Sequence, residues 1–150
     1  FGMPFNEVIM FGIGTNIAAG LGAFAFSFIE DKVGSKKIII FSLCIMIIFG
    51  LGILIVNEKH IFWILGISLS TFFGPIQSAS RVYFAKLVPE KKKTEFFGFY
   101  SLSGKITSFL GPMLFALLTS IFHSQRAGMS TVIFFLLFGL LLMFFVKSDK

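Results

Sequence analysis

Val8–Ile29, Ile38–Val56, Ile61–Ser80 and Gly128–Val146 contain no charged residue, and Phe96–Phe122 contains only Lys105. A helix needs about 20 mostly apolar residues to cross a hydrocarbon core of about 30 Å. Five such stretches in 150 residues leave too little chain for a water-soluble domain. The pattern predicts an all-α polytopic membrane protein with five transmembrane helices, at about residues 6–29, 38–56, 61–81, 95–122 and 128–146. Composition agrees. Charged residues make up 13% of the chain, against about 25% in a soluble domain.

The net charge of +6 raises the question of nucleic acid. Placement answers it, because the basic residues sit in short connections between apolar runs, where they set topology. Alternate connections hold Lys32, Lys36 and Lys37, then Arg81, Lys86, Lys91, Lys92 and Lys93, then Lys147 and Lys150. The intervening ones hold only Lys59 and Arg126. The positive-inside rule puts the first set in the cytoplasm. The amino end of the chain is then outside and the carboxyl end inside. Trp63, Tyr83 and Tyr100 suit interfacial aromatic belts. No secretory leader is visible, and the absence of an initiator methionine at Phe1 predicts a piece of a longer protein.

The spans differ from one another. Ile38–Val56 and Gly128–Val146 are apolar on every face and are expected against lipid. The other three carry polar or small stripes at helical spacing. These run Asn16, Gly20, Ala23, Ser27; then Ser70, Gly74, Gln77, Arg81; then Gly98, Ser101, Lys105, Ser108, Pro112. The stripes either face a shared wet path or serve as small-residue packing seams. Gln77, Ser78, Ser80 and Arg81 are expected to end the third span before a basic loop, with Thr94 capping the next helix and Glu95 in its first turn.

Signals for enzyme chemistry fail. His60 and His123 are isolated, with no metal-ligand spacing. Cys44 is single and lies in an apolar run, as a packing residue. Gly104-Lys105-Ile106-Thr107 lacks the upstream glycine of a phosphate loop. No cofactor, metal or catalytic set is expected.

Gly74-Pro75-Ile76-Gln77-Ser78-Ala79-Ser80-Arg81 and Glu95-Phe96-Phe97-Gly98-Phe99-Tyr100-Ser101-Leu102-Ser103-Gly104-Lys105 resemble the UMF1 / Atg22-like branch of the major facilitator superfamily. The resemblance implies a secondary transporter for a small solute, with amino-acid efflux attributed to fungal members. The order striped, apolar, striped, striped, apolar then fits helices eight to twelve of a twelve-helix fold. The remaining partners would be a missing amino-terminal half and the bilayer. The membrane would be that of the cell, or of the vacuole in a fungus. Asp31-Lys32-Val33-Gly34-Ser35-Lys36-Lys37 is similar to the superfamily's loop signature, departing from it at Ser27 and Glu30. By that likeness Asp31, Lys32, Gly34, Lys36 and Lys37 form a conformational latch against the other half. Asp31 could also accept the free N–H groups at a helix amino end, and Gly34 permits a tight reversal.

Lys105 lies about 13 Å past Phe96 along a helix. It either snorkels as an anchor or contacts a substrate carboxylate or partner acid. Arg81 anchors, pairs with Glu95 or lipid phosphate, or meets substrate. Together with Gln77, Ser101 and Asn16, these are the substrate-path candidates. Gly74-Pro75 and Gly111-Pro112 each remove a backbone bond inside a helix, as static bends or gating flex points. No buried carboxylate is expected in the spans, so a coupling acid would be Glu7, near the outer edge, or lie in the missing half. The alternative from another class is a non-transporting membrane sensor or scaffold that uses the basic loop Pro89–Thr94 to bind a partner or anionic lipid.

Overall fold

The structure is a computed structural model, and it describes residues 2–147. Among them are five long apolar helices: α1 (Phe5–Val33), α2 (Ser35–Ile55), α3 (Lys59–Leu87), α4 (Lys93–Phe122) and α5 (Gln125–Phe145), with one 3₁₀ turn at Glu90–Lys92. The described residues contain no strand. The three helices with polar stripes are the long ones, at 29, 29 and 30 residues. At 1.5 Å per residue each reaches about 44 Å, well past a core of about 30 Å. α2 and α5, at 21 residues each, just span it.

Three local expectations are corrected. Gln77, Ser78, Ser80 and Arg81 do not end a helix, since α3 runs on to Leu87. Arg and Lys are good helix formers, so a change of polarity at the membrane edge need not break the helix. Thr94 does not cap α4, which begins at Lys93 with no side-chain cap. Finally, Asp31–Lys37 is not a loop. α1 continues to Val33, and Gly34 alone separates it from α2, at φ 94°. That left-handed region is where glycine is at ease.

α1 packs along α3, α3 along α2, α2 against α5 and α5 against α4. α2 is therefore not a purely lipid-facing helix, as its uniform apolarity suggests. It buries Ile38, Ile39, Leu43, Met46 and Ile47, and the first three form one cluster with Ala79 and Tyr83 of α3. The face bearing Phe41, Ile48, Leu51 and Ile55 is exposed. A protein-facing side and a lipid-facing side are equally apolar, so composition cannot separate them. Phe72 of α3 ties the layers together, with ring centroids 5.5 Å from Phe26 of α1 and 6.2 and 6.3 Å from Phe41 and Phe49 of α2.

The α1–α3 contact is set by two glycines. A Cβ on Gly74 would stand 2.0 Å from the Ala19 carbonyl oxygen, and one on Gly22 would stand 1.9 Å from that of Thr71. The backbones touch there, the close approach that small residues give membrane helices. Pro75, directly after Gly74, is fully buried inside a continuous α3.

Helix ends are held by long-range polar contacts. Arg126 donates to the Leu54 and Val56 carbonyls at 3.0 and 2.8 Å and to Asn57 Oδ1 at 2.5 Å, closing the carboxyl end of α2. At the opposite face Lys36 Nζ donates to the Val146 carbonyl at 2.5 Å, and the Tyr83 hydroxyl donates to that of Lys147. The first satisfies a carbonyl that the end of α5 leaves free, where the Lys36 ammonium also suits the negative end of the helix dipole, and the second holds the residue just beyond the cap. Lys150, counted above with the basic tail, lies outside the described residues.

Candidate functional site

Stripe residues of α1 and α3 meet in one open groove of about 630 Å³. Asn16, Gly20 and Ala23 line it from α1; Gln77, Ser78 and Arg81 line it from α3. The groove exists because the glycine-tight seam places the polar positions of each helix immediately beside it. The packing-seam reading of these stripes holds for Gly74 and Ala19, and the polar positions line the open groove beside that seam. Ala19 and Gly74, which form the seam, also border the groove.

Hydrogen bonding sorts the polar residues further. Ser27 donates to the Phe24 carbonyl at 2.7 Å, Ser70 to Gly66 at 2.8 Å, and Ser108 to Gly104 at 2.8 Å. A hydroxyl that bonds back to its own helix is satisfied even against lipid. These residues need no wet path. Asn16 donates its amide to the Gly12 carbonyl at 2.8 Å, which leaves its side-chain oxygen as an acceptor. Gln77, Arg81, Ser101 and Lys105 are all exposed and make no hydrogen bond or ion pair with other described residues. The anticipated Arg81–Glu95 pair does not form. An amide and a guanidinium without partners, sharing a groove with the Asn16 oxygen, can grip an anionic or polar solute: the guanidinium as a planar fork of donors, the amide as donor and acceptor.

Ser101 and Lys105 stand apart from that cluster. They belong to α4, which packs on α5 and meets α3 chiefly through rings at one end. Phe84 lies 5.2 Å from Phe97 and 4.9 Å from Tyr100 between centroids. Every residue from Ser101 to Leu110 is exposed. Among the described residues nothing brings Lys105 to Gln77 or Arg81. Gly111 and Pro112 lie inside a continuous α4.

At the α1–α2 reversal, Asp31 and Lys32 occupy the last turn of α1 and are exposed. Asp31 has no partner among the described residues. It sits at the carboxyl end of α1 rather than at a helix amino end, so it caps nothing here. The neighbouring Glu30, which departs from the loop signature, makes the local contact instead. Ser35 Oγ, fully buried, donates to Glu30 Oε1 at 2.6 Å. Spacing alone could have suggested it, since a carboxylate five residues before a serine spans a one-residue break. Lys37 remains exposed, whereas Lys36 is engaged at Val146.

Other clusters carry less. A cavity of about 350 Å³ between α1, α2, α3 and α5 is lined mostly by apolar side chains, among them Phe11, Ile53, Leu69 and Leu136. Glu7 of α1 and Lys59 of α3 pair at the amino ends of their helices. Among the described residues, no three His, Cys, Asp or Glu side chains gather as a metal site would require.

No solved structure matches the chain. "Uncharacterized MFS-type transporter YxiO" of Bacillus subtilis is 39% identical over 59% of this chain and 21% of its own length. "Autophagy-related protein 22" of Vanderwaltozyma polyspora is 33% identical over 91% of this chain and 28% of its own length. The counterpart from Kluyveromyces lactis is 35% identical over 57% of this chain and 18% of its own length. The matched residues thus span between 18% and 28% of these relatives' own length. The family described as "Vacuole effluxer Atg22 like" matches residues 1–150, and the chain belongs to that family.

Proposed function

We propose that this chain is part of a membrane transporter, not an enzyme, that moves a small solute by alternating access. It contributes the carboxyl-terminal part of a major facilitator fold, helices eight to twelve, and its partner is an amino-terminal half outside these residues. The observation that carries the reading is the α1–α3 groove. Gln77 and Arg81 sit there without partners, opposite Asn16, on helices long enough to cross a bilayer. Leaving unpaired polar groups against lipid is costly, and more so the deeper they lie. Water or a solute in the groove removes that cost.

Arg81 would take the carboxylate of the solute and Gln77 its polar neighbour. Lys105 and Ser101 of α4 would face the same route once further helices close it. Amino-acid efflux fits this chemistry and the family's description. The basic connections support an amino end outside and a carboxyl end in the cytoplasm, and in that orientation Asp31 would meet the other half from the cytoplasmic end of α1. Flux of labelled amino acids through the full-length protein in liposomes tests the reading. Arg81→Gln and Lys105→Met are expected to lower flux at least tenfold, while Ser108→Ala leaves it unchanged. Full flux in both charge variants would overturn it.

A further inference from the structure

The connection between α3 and α4 is short, basic and tied down. Val88 is 8% exposed and donates its N–H to the Phe84 carbonyl, and the Lys92 N–H closes the turn on Pro89. The turn therefore cannot swing away from the helix ends. Its charges divide in two. Lys93 Nζ bonds Glu90 Oε1 at 2.6 Å, and this ammonium holds the Glu90 carboxyl below the usual carboxylate range, by hydrogen bond and by charge. Glu90 and Lys93 so neutralise each other. Lys91 and Lys92 are exposed and have no partner among the described residues. Directly beyond them come Phe96 and Phe99, 40% and 69% exposed, on the first turns of a membrane helix. Two free ammonium groups are thus fixed on a turn between two spanning helices, with large apolar rings one to two turns deeper. Such a pairing matches the two parts of a lipid: a phosphate at the surface and acyl chains below it.

We propose that the Val88–Lys92 turn is a binding corner for an anionic glycerophospholipid, with Lys91 and Lys92 on the headgroup phosphate and Phe96 and Phe99 against its chains. The corner lies apart from the α1–α3 groove and does not depend on transport. Anionic lipid is favoured over zwitterionic lipid because neither lysine is ion-paired to a carboxylate among the described residues.

Full-length protein is purified from membranes containing phosphatidylglycerol and phosphatidylcholine, and retained lipid is read by native mass spectrometry. Wild type is expected to keep phosphatidylglycerol in preference. A lysine near an anionic surface is worth roughly fivefold in affinity, so Lys91→Gln with Lys92→Gln is expected to lower retention on the order of 30-fold. Glu90→Gln acts in the opposite direction. It frees Lys93 and is expected to raise retention about fivefold. All three positions are on the surface turn, and elution as a single species checks that each variant is folded. Unchanged retention in the double variant, equal retention of phosphatidylcholine, or a fall in Glu90→Gln would each overturn the proposal.

Discussion

The α1–α3 pair and α4 have similar compositions and opposite environments. Each carries small residues and a few polar ones at helical spacing. Along α1 and α3 the small residues are in backbone contact, at Gly74 against Ala19 and Gly22 against Thr71. On α4, Gly98, Gly104 and Gly111 have no atom within 4 Å of where a Cβ would stand. No residue of α4 is buried among the described residues, whereas Pro75, Ala79 and Tyr83 of α3 are. A small-residue stripe therefore does not by itself say that helices meet. What distinguishes α3 is that its seam lies beside a polar face, so that one close approach both fixes the pair and shapes the groove.

The largest break in that contrast comes from filling the seam. Gly74→Leu would drive a side chain into the Ala19 carbonyl, 2.0 Å from the new Cβ. Neither partner is a flexible side chain, so the helices must separate. Overpacking of this kind costs about 1–3 kcal/mol and more where backbone is struck. The full-length protein is expected to lose most of its folded yield, with a clearly lower melting temperature in detergent. Wild-type yield and melting would show that the α1–α3 contact does not hold the fold.

Much of this was legible in the sequence, and the failures share a cause. Four uncharged runs and a fifth broken only by Lys105 became five helices because a bilayer demands satisfied backbone over a fixed thickness. Gln77 stood out because a polar side chain in an apolar run is costly, and Arg81 because it directly follows that run. What sequence could not show was where polarity stops mattering. α3 passes through Arg81 and Lys86 to Leu87, since outside the core nothing opposes a charged helix. Likewise α2 looks uniform, yet one side holds the core and the other is bare. The jobs of Lys36 and Arg126 were hidden for a different reason. Charge counting assigned them to topology, but their contacts reach 110 and 72 residues along the chain.

Arg126 supplies the intermediate test. It joins α5 to the end of α2 through three hydrogen bonds, one of the ties by which α5, and with it α4, stays on the bundle. Arg126→Met keeps the length of the stem and removes the donors. Charged hydrogen bonds contribute about 1.5–3 kcal/mol, and exposure reduces this, so a loss of about 1 kcal/mol is expected, read as a modest fall in melting temperature. Arg126→Lys should recover only part of it, because an ammonium cannot reach two carbonyls and an amide as a planar fork does. Full recovery by lysine would mean that charge near the helix end, not the fork, is what matters.

The smallest effect is the most informative about α4. Gly104→Ala meets nothing within 4 Å, and alanine is favoured over glycine inside a helix by about 1 kcal/mol. If the Ser101–Leu110 stretch faces lipid or water in the whole protein, the variant is neutral or slightly more stable. If a helix outside these residues lies on α4 as closely as α1 lies on α3, the added methyl strikes it and stability falls. A melting curve of full-length Gly104→Ala beside wild type therefore decides whether the stripe on α4 is a wall of the wet route, as proposed for Lys105, or a second seam awaiting its partner. A clear loss of stability would move Lys105 from the route into a helix contact, where its ammonium would need an acid from the other half.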